Sequence, residues 1–479
     1  MNTSALKKAL PALALLALAG CQPELDAPAP ATSGSANFSR YIAVGNSLTA
    51  GYSDGGLYLE GQLNSYPNLL AQQFKLAGGG DFAQPLFTDA QRNGSGYLRL
   101  AGFDASGSPI TAPVTTSLAI RGASPTGGPL YTRYDAAVNN LGVPGIRMDN
   151  VQTPGYGSVA GNPYFERITP TTNPLETYFQ RVKREAATAT FFSSWLGNND
   201  VLGYSTSGGA STAATNTITR TDTFTLKATR IINVLTAGGA KGVISTIPDV
   251  SGIPFFTTVG PRLRTSLSAA GVPGLVITTG AATGGPTSAN RKTIAVSDIR
   301  DAGGSGRQLF TLTSSPFVGL IGRPGGRVWR YLYAQSGQPA AGFPLFLTAF
   351  GVDTTKALGV TAENPFPSAF VLDDVEQATV ATATLGYNTA LRNLAATKGL
   401  ALFDANIFFN QVAASGYGTN GVTNTASYIS GNLFSLDGVH PTPRGYAIIA
   451  NEIIKAINAQ YGSTLPYVNP NTYRGVTLP

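Results

Sequence analysis

Five short strand candidates alternate with helical segments along this chain, and that alternation limits its fold more than any other feature. Residues 41–44, Tyr-Ile-Ala-Val, form an apolar run too short for a helix and stop at Gly45. Further candidates follow at 136–141, 190–196, 243–247 and 400–403. The second leads into Gly142-Val143-Pro144-Gly145, the third into Gly197-Asn198-Asn199-Asp200, and the fourth leaves at Pro248-Asp249. Between them the sequence predicts helices over 65–75, 175–186, 222–237 and 374–397. Ser65 caps the first, with Pro67 in its first turn, and Gly238 and Gly239 stop the third. The last helix starts with Thr442 as cap and Pro443 in its first position, and Tyr446, Ile449, Ala450, Ile453, Ile454 and Ile457 share one face. Strands alternating with helices imply an α/β fold, a three-layer α/β/α sandwich around a mostly parallel five-stranded sheet. In such open sheets, sites form beyond the carboxyl ends of the strands.

The ends of the chain carry a different signal. Lys7 and Lys8 precede an apolar run at 9–20. That run is shorter than the about 20 residues that span a bilayer, and it matches the core of an export signal. It closes in Leu18-Ala19-Gly20-Cys21, which resembles the lipobox of bacterial lipoproteins. The resemblance implies cleavage after residue 20, lipidation of Cys21 and attachment to a membrane of the cell envelope, the outer membrane being expected. Glu24 and Asp26 weigh toward sorting outward; an ordinary secretory signal with an incidental cysteine is the plain alternative. Cys21 is the only cysteine, so the processed chain has no disulfide and no thiolate metal site. Residues 21–37 read as a flexible tether rich in Pro, Ala, Ser and Gly. Residues 38–462 read as one domain with two long insertions, at 78–135 and 251–370, and 463–479 as a tail. The first insertion is expected to be irregular.

Removing residues 1–20 lowers the formal charge from +7 to +5, mild for 479 residues. No Lys/Arg run or aromatic-basic cluster points to nucleic acid. With 12% charged residues and abundant Gly, Ala, Ser and Thr, the composition suits a loop-rich extracytoplasmic protein.

The chain has one histidine. His440 sits in Asp437-Gly438-Val439-His440, just before the last helix. Imidazole is the usual general base near neutral pH, so histidine-based chemistry has one candidate here. Ser47, in Gly45-Asn46-Ser47-Leu48, is the best nucleophile for it to serve. Ser47, Gly145 and Asn199 each follow a strand end. One histidine excludes a histidine-rich metal site. Thr49 breaks the Gly-x-Ser-x-Gly elbow, and Gly303-Gly304-Ser305-Gly306 lacks the lysine of a phosphate loop. Taken singly, each of these residues except His440 reads more readily as a turn, a cap or a structural hydrogen-bonding group.

Together, these segments resemble the four blocks of the SGNH hydrolases, the GDSL esterase/lipase family. Gly45-Asn46-Ser47-Leu48 resembles the nucleophile block and Asn140-Leu141-Gly142-Val143-Pro144-Gly145 the second block. Gly197-Asn198-Asn199-Asp200 is similar to the third and Asp437-Gly438-Val439-His440 to the last, all in the family's order. The likeness covers roughly residues 38–77, 136–250 and 371–460. It implies a flavodoxin-like sheet of SGNH type and a serine esterase or acylhydrolase needing no cofactor. Ser47 would carry the acyl group, with His440 as general base and acid and Asp437 orienting it. The oxyanion hole would come from Ser47 N–H, Gly145 N–H and the Asn199 amide, while Asp200 would support the local turn. Asn46 stands where the family usually has aspartate, which removes a charge next to Ser47. The substrate class stays open among acetylated polysaccharide, short-chain ester and lysophospholipid. Phe255, Phe256, Phe317 and Trp329 in the second insertion read either as a lipid pocket or as ordinary packing. The alternative from another class is a non-catalytic surface lipoprotein that holds a glycan or other ligand on the same scaffold.

Overall fold

Strands β1 (Tyr41–Gly45), β2 (Asn140–Gly142), β3 (Phe191–Trp195), β4 (Lys241–Ser245) and β5 (Ala401–Phe403) form one sheet in the order β5-β4-β3-β1-β2. Every neighbouring pair is parallel. This is a computed structural model that describes residues 30–105, 107–211, 213–280 and 290–479. The leader, Cys21 and the start of the tether lie outside the described residues.

All five residues of β1 and all five of β3 are buried. Successive side chains in a strand point to opposite faces, so both faces of the sheet are covered. Helices α1 (Tyr66–Leu76) and α6 (Pro443–Tyr461) pack together, and α6 lies on β4 and β5. Helices α2 (Tyr178–Ala186), α4 (Thr221–Thr236) and α5 (Asp374–Lys398) form a second group, α2 against β1 and α5 against β4. A shorter helix, α3 (Asn199–Thr206), leaves the end of β3 and packs on α5. The fold is thus an α/β sandwich.

The end signals work as their chemistry requires, with one exception. Thr442 Oγ1 accepts from Gly445 N at 3.1 Å, and the six residues of the predicted apolar face of α6 are all buried. Cutting Ile453 back to alanine there would cost about 2–5 kcal/mol through lost burial and the cavity left behind. Helix α2 starts later than its apolar pattern predicts, because Thr177 and Gln180 form a capping box. Ser65 stands at the start of α1 without capping it. Its hydroxyl donates back to Gln62 O at 2.9 Å instead.

The two insertions and the terminal segments carry order of their own. The first insertion is less irregular than its glycines predict, since Tyr97–Phe103 pairs with Pro109–Val114 and Ile120–Ala123 with Pro129–Tyr131 as two antiparallel hairpins. The second insertion has its own buried cluster, including Leu263, Ile277, Phe310, Phe317, Trp329 and Phe366. Phe317 and Trp329 therefore pack as core, and Phe256 does so in the main core. The expected tether 21–37 becomes fixed before its end. Ser35 N donates to Tyr461 O at 2.8 Å, Thr32 N to Thr464 Oγ1 at 2.9 Å, and Ala36 is buried. The tail also packs: Val468 and Asn451 exchange hydrogen bonds through the Asn451 amide.

Candidate active site

The chain leaves β1 at Gly45 and turns directly into a four-residue helix, Ser47–Ala50. Asn46, fully buried, makes the turn. Its Oδ1 accepts from Leu48 N at 3.0 Å, and its Nδ2 donates to Asn198 Oδ1 at 2.9 Å. An amide can accept and donate at once, which a carboxylate cannot, so asparagine ties the first strand end to the third without a buried charge. Ser47 is thereby held at the strand rim, its hydroxyl 2.9 Å from His440 Nε2.

His440 comes from the loop before α6, where one carboxylate does two jobs. Asp437 Oδ1 accepts from Val439 N and His440 N, both at 2.8 Å, which folds the tight turn. Asp437 Oδ2 faces His440 Nδ1 at 2.8 Å. The same side chain thus folds the Asp-Gly turn and reaches the imidazole. Gly438 (φ +70) has no room for a Cβ, which would sit 2.9 Å from Phe255 N. Burial pushes the Asp437 carboxyl up, but the His440 ring and these N–H donors outweigh it and hold it below the ordinary carboxylate value.

Beyond β2, Gly145 sits exposed at φ +82, a left-handed conformation that glycine adopts freely. Among the described residues neither the Gly145 N–H nor the Ser47 N–H donates to another group. Asn199 opens α3, and its Nδ2 donates to Ile146 O at 2.9 Å, linking the third strand end to the second. Asp200 strengthens that link from below. It is fully buried and accepts from Met148 N at 2.7 Å, Asp149 N at 3.3 Å and Thr219 Oγ1 at 2.5 Å. Burial still dominates, and the Asp200 carboxyl is pushed up to about 6.

Two cavities meet at this rim. An apolar one of about 60 Å³ is lined by Ser47, Asn199, His440 and a set of aliphatic and aromatic side chains. A wider cleft of about 690 Å³ is lined by Gly145, Asn199, Asp437 and His440 together with Tyr52, Arg147 and Asn162. Ser47, His440 and Asp437 are thus hydrogen-bonded in series. Asn199 borders both cavities, and Gly145 borders the cleft but not the apolar pocket.

Sequence reasoning missed the turn at residues 53–56. Tyr52 packs its ring 4.6 Å from the His440 ring. Asp54, buried and at φ +52, accepts from Leu436 N at 3.0 Å and from the Tyr58 hydroxyl at 2.7 Å. Its own N–H donates to Ser435 Oγ at 2.8 Å, and Ser435 Oγ donates to Asp437 Oδ1 at 3.1 Å. The only signal in the sequence was the Ser-Asp-Gly-Gly turn composition at 53–56, which reads equally well as an ordinary loop.

Compared with models of protein families and with curated proteins, the sequence gives no match to either.

Proposed function

We propose that this chain is a serine esterase of the SGNH hydrolase type, on a three-layer α/β/α fold. One observation carries the reading: an unbroken hydrogen-bonded series from Ser47 Oγ through the only histidine to the Asp437 carboxylate. The sheet order β5-β4-β3-β1-β2 supports it, because it is the flavodoxin-like order, with ligand sites at the carboxyl strand ends.

In this reading Ser47 Oγ attacks the ester carbonyl while His440 Nε2 takes its proton. Asp437 holds the Nδ1–H tautomer and stabilises the imidazolium that forms. The unpaired N–H groups of Ser47 and Gly145, with the Asn199 amide, receive the oxyanion. The carbonyl–alkoxy bond then breaks, and His440 returns the proton to the departing alcohol. Water, deprotonated by the same imidazole, cleaves the acyl-enzyme and releases the acid. We also propose that Cys21 carries lipid and holds the enzyme to the outer membrane, on the strength of the lipobox-like tetrapeptide.

The test is labelling by a serine-directed fluorophosphonate. A single adduct on Ser47, lost in Ser47→Ala together with ester hydrolysis, supports the reading. A wild-type chain that takes no label and cleaves no ester would leave only the binding-protein alternative.

A further inference from the structure

We propose, resting on the esterase reading above, that the apolar pocket holds the acyl chain and the wider cleft receives the alcohol. This makes the preferred substrate an ester whose hydrocarbon chain lies on the acid side. The pocket reaches Ser47 Oγ and continues past Leu48, Leu202, Val250, Ile253, Phe409 and Phe434. Its polar groups sit at the reacting end: Ser47, Asn198, Asn199 and His440. Beyond them it offers no hydrogen-bonding side chain, so it suits a hydrocarbon and not a sugar ring. Each methylene added inside it should raise kcat/KM about fourfold, which is the ~0.8 kcal/mol of burying one CH₂.

The other cleft is mixed, with polar side chains beside Leu202, Phe255 and Val439. Arg147, Tyr156, Asn162, Thr206 and Asn216 line it, and it is the larger of the two. Order of events assigns the two sides. The alcohol must leave while the acyl group stays bonded to Ser47, so the leaving group needs the wider path. The acyl chain waits for water and gains most from a close-fitting apolar wall.

Ethyl octanoate and octyl acetate test this directly, because they are isomers that differ only in which side carries the long chain. The expected result is a kcat/KM for ethyl octanoate at least about tenfold above octyl acetate. Val250→Phe, which fills the pocket, should erase that preference. Where Val250→Phe melts early, Phe409→Ala at a half-buried position replaces it, and should shift the best substrate to longer acids. Equal or reversed use of the isomers by the wild type, with Ser47-dependent hydrolysis intact, overturns the pocket assignment alone. So does a stably folded Val250→Phe, or the replacement variant, with an unchanged chain-length profile. Failure to cleave either isomer or ethyl acetate removes the esterase reading, and this inference with it.

Discussion

Gly55 donates its backbone N–H to Asp437 Oδ2 at 2.9 Å, the same oxygen that faces His440 Nδ1 at 2.8 Å. The carboxylate is thus held on one side by the turn after the Ser47–Ala50 helix and on the other by the His440 ring. Asp54 sets up the contact. Its left-handed backbone costs about 1–2 kcal/mol in a residue with a Cβ. The hydrogen bonds it makes to Leu436 N and the Tyr58 hydroxyl offset that cost and lock the two loops in register.

Asp54→Ala should therefore lower kcat without touching the reacting atoms. Losing the acceptor leaves Leu436 N and the Tyr58 hydroxyl proton without an acceptor in a buried place, a cost of about 1–3 kcal/mol in stability. The slackened Asp437 should reduce kcat by about tenfold to a hundredfold with KM little changed. Asp54→Asn keeps an acceptor for Leu436 N and should recover part of the rate. Wild-type kcat in a destabilised Asp54→Ala would make the residue purely structural.

Asn199→Ala separates oxyanion stabilisation from folding. One N–H of the amide is engaged by Ile146 O, which fixes its direction; the second is available to substrate. Removing the amide should cut kcat by about 10²–10³ while KM stays near wild type. Steady-state kinetics beside a thermal melt decides it. A large fall in melting temperature with modest loss of kcat would make the amide a strut between strand ends.

Much of this site is legible in the sequence because each part sits at a strand end, and short strands between helices announce themselves by apolar runs and turn residues. Ser47, Asn199 and His440 fall at the positions their motifs imply. The late start of α2 was hidden because a capping box, Thr177 with Gln180, overrides the apolar pattern that begins at Leu175. The turn at 53–56 was hidden for a different reason. Its value lies in contacts to residues 435–437, and no local pattern encodes a partner almost four hundred positions away. The second insertion's core was equally hidden, since Trp329 and Phe366 signal burial but not which cluster they join.

The single imidazole makes its tautomer measurable. An Asp437 carboxylate can only accept, so neutral His440 should carry its proton on Nδ1 and offer the Nε2 lone pair to Ser47. Nitrogen NMR of the only histidine ring reads this without assignment. Asp437→Asn can donate to Nδ1 and favour the opposite tautomer, and kcat should fall by about 10⁴. A wild-type ring protonated on Nε2 would remove Ser47 as the group it activates.

Asp200 gives the fold a pH dependence of known sign. Burial pushes its carboxyl up to about 6 in the folded chain. An unfolded aspartate titrates near about 3.9. Between those values the folded state holds the proton and the unfolded state has released it. Folding is therefore favoured by the protonated group at low pH, and this contribution is lost as pH rises through the folded value. The total is on the order of 3 kcal/mol. The Asp200→Asn variant cannot titrate there. Its altered bonds to Met148 N, Asp149 N and Thr219 shift stability by an amount that stays constant with pH. Urea unfolding at intervals from pH 4 to 7 should show wild-type stability falling relative to Asp200→Asn across the window. Glu376, pushed up to about 7 by burial, adds a slope of the same sign, but it is common to both chains and cancels in the difference. Parallel stability curves for the two chains would mean that Asp200 stays ionised throughout, held by its three donors against the cost of burial.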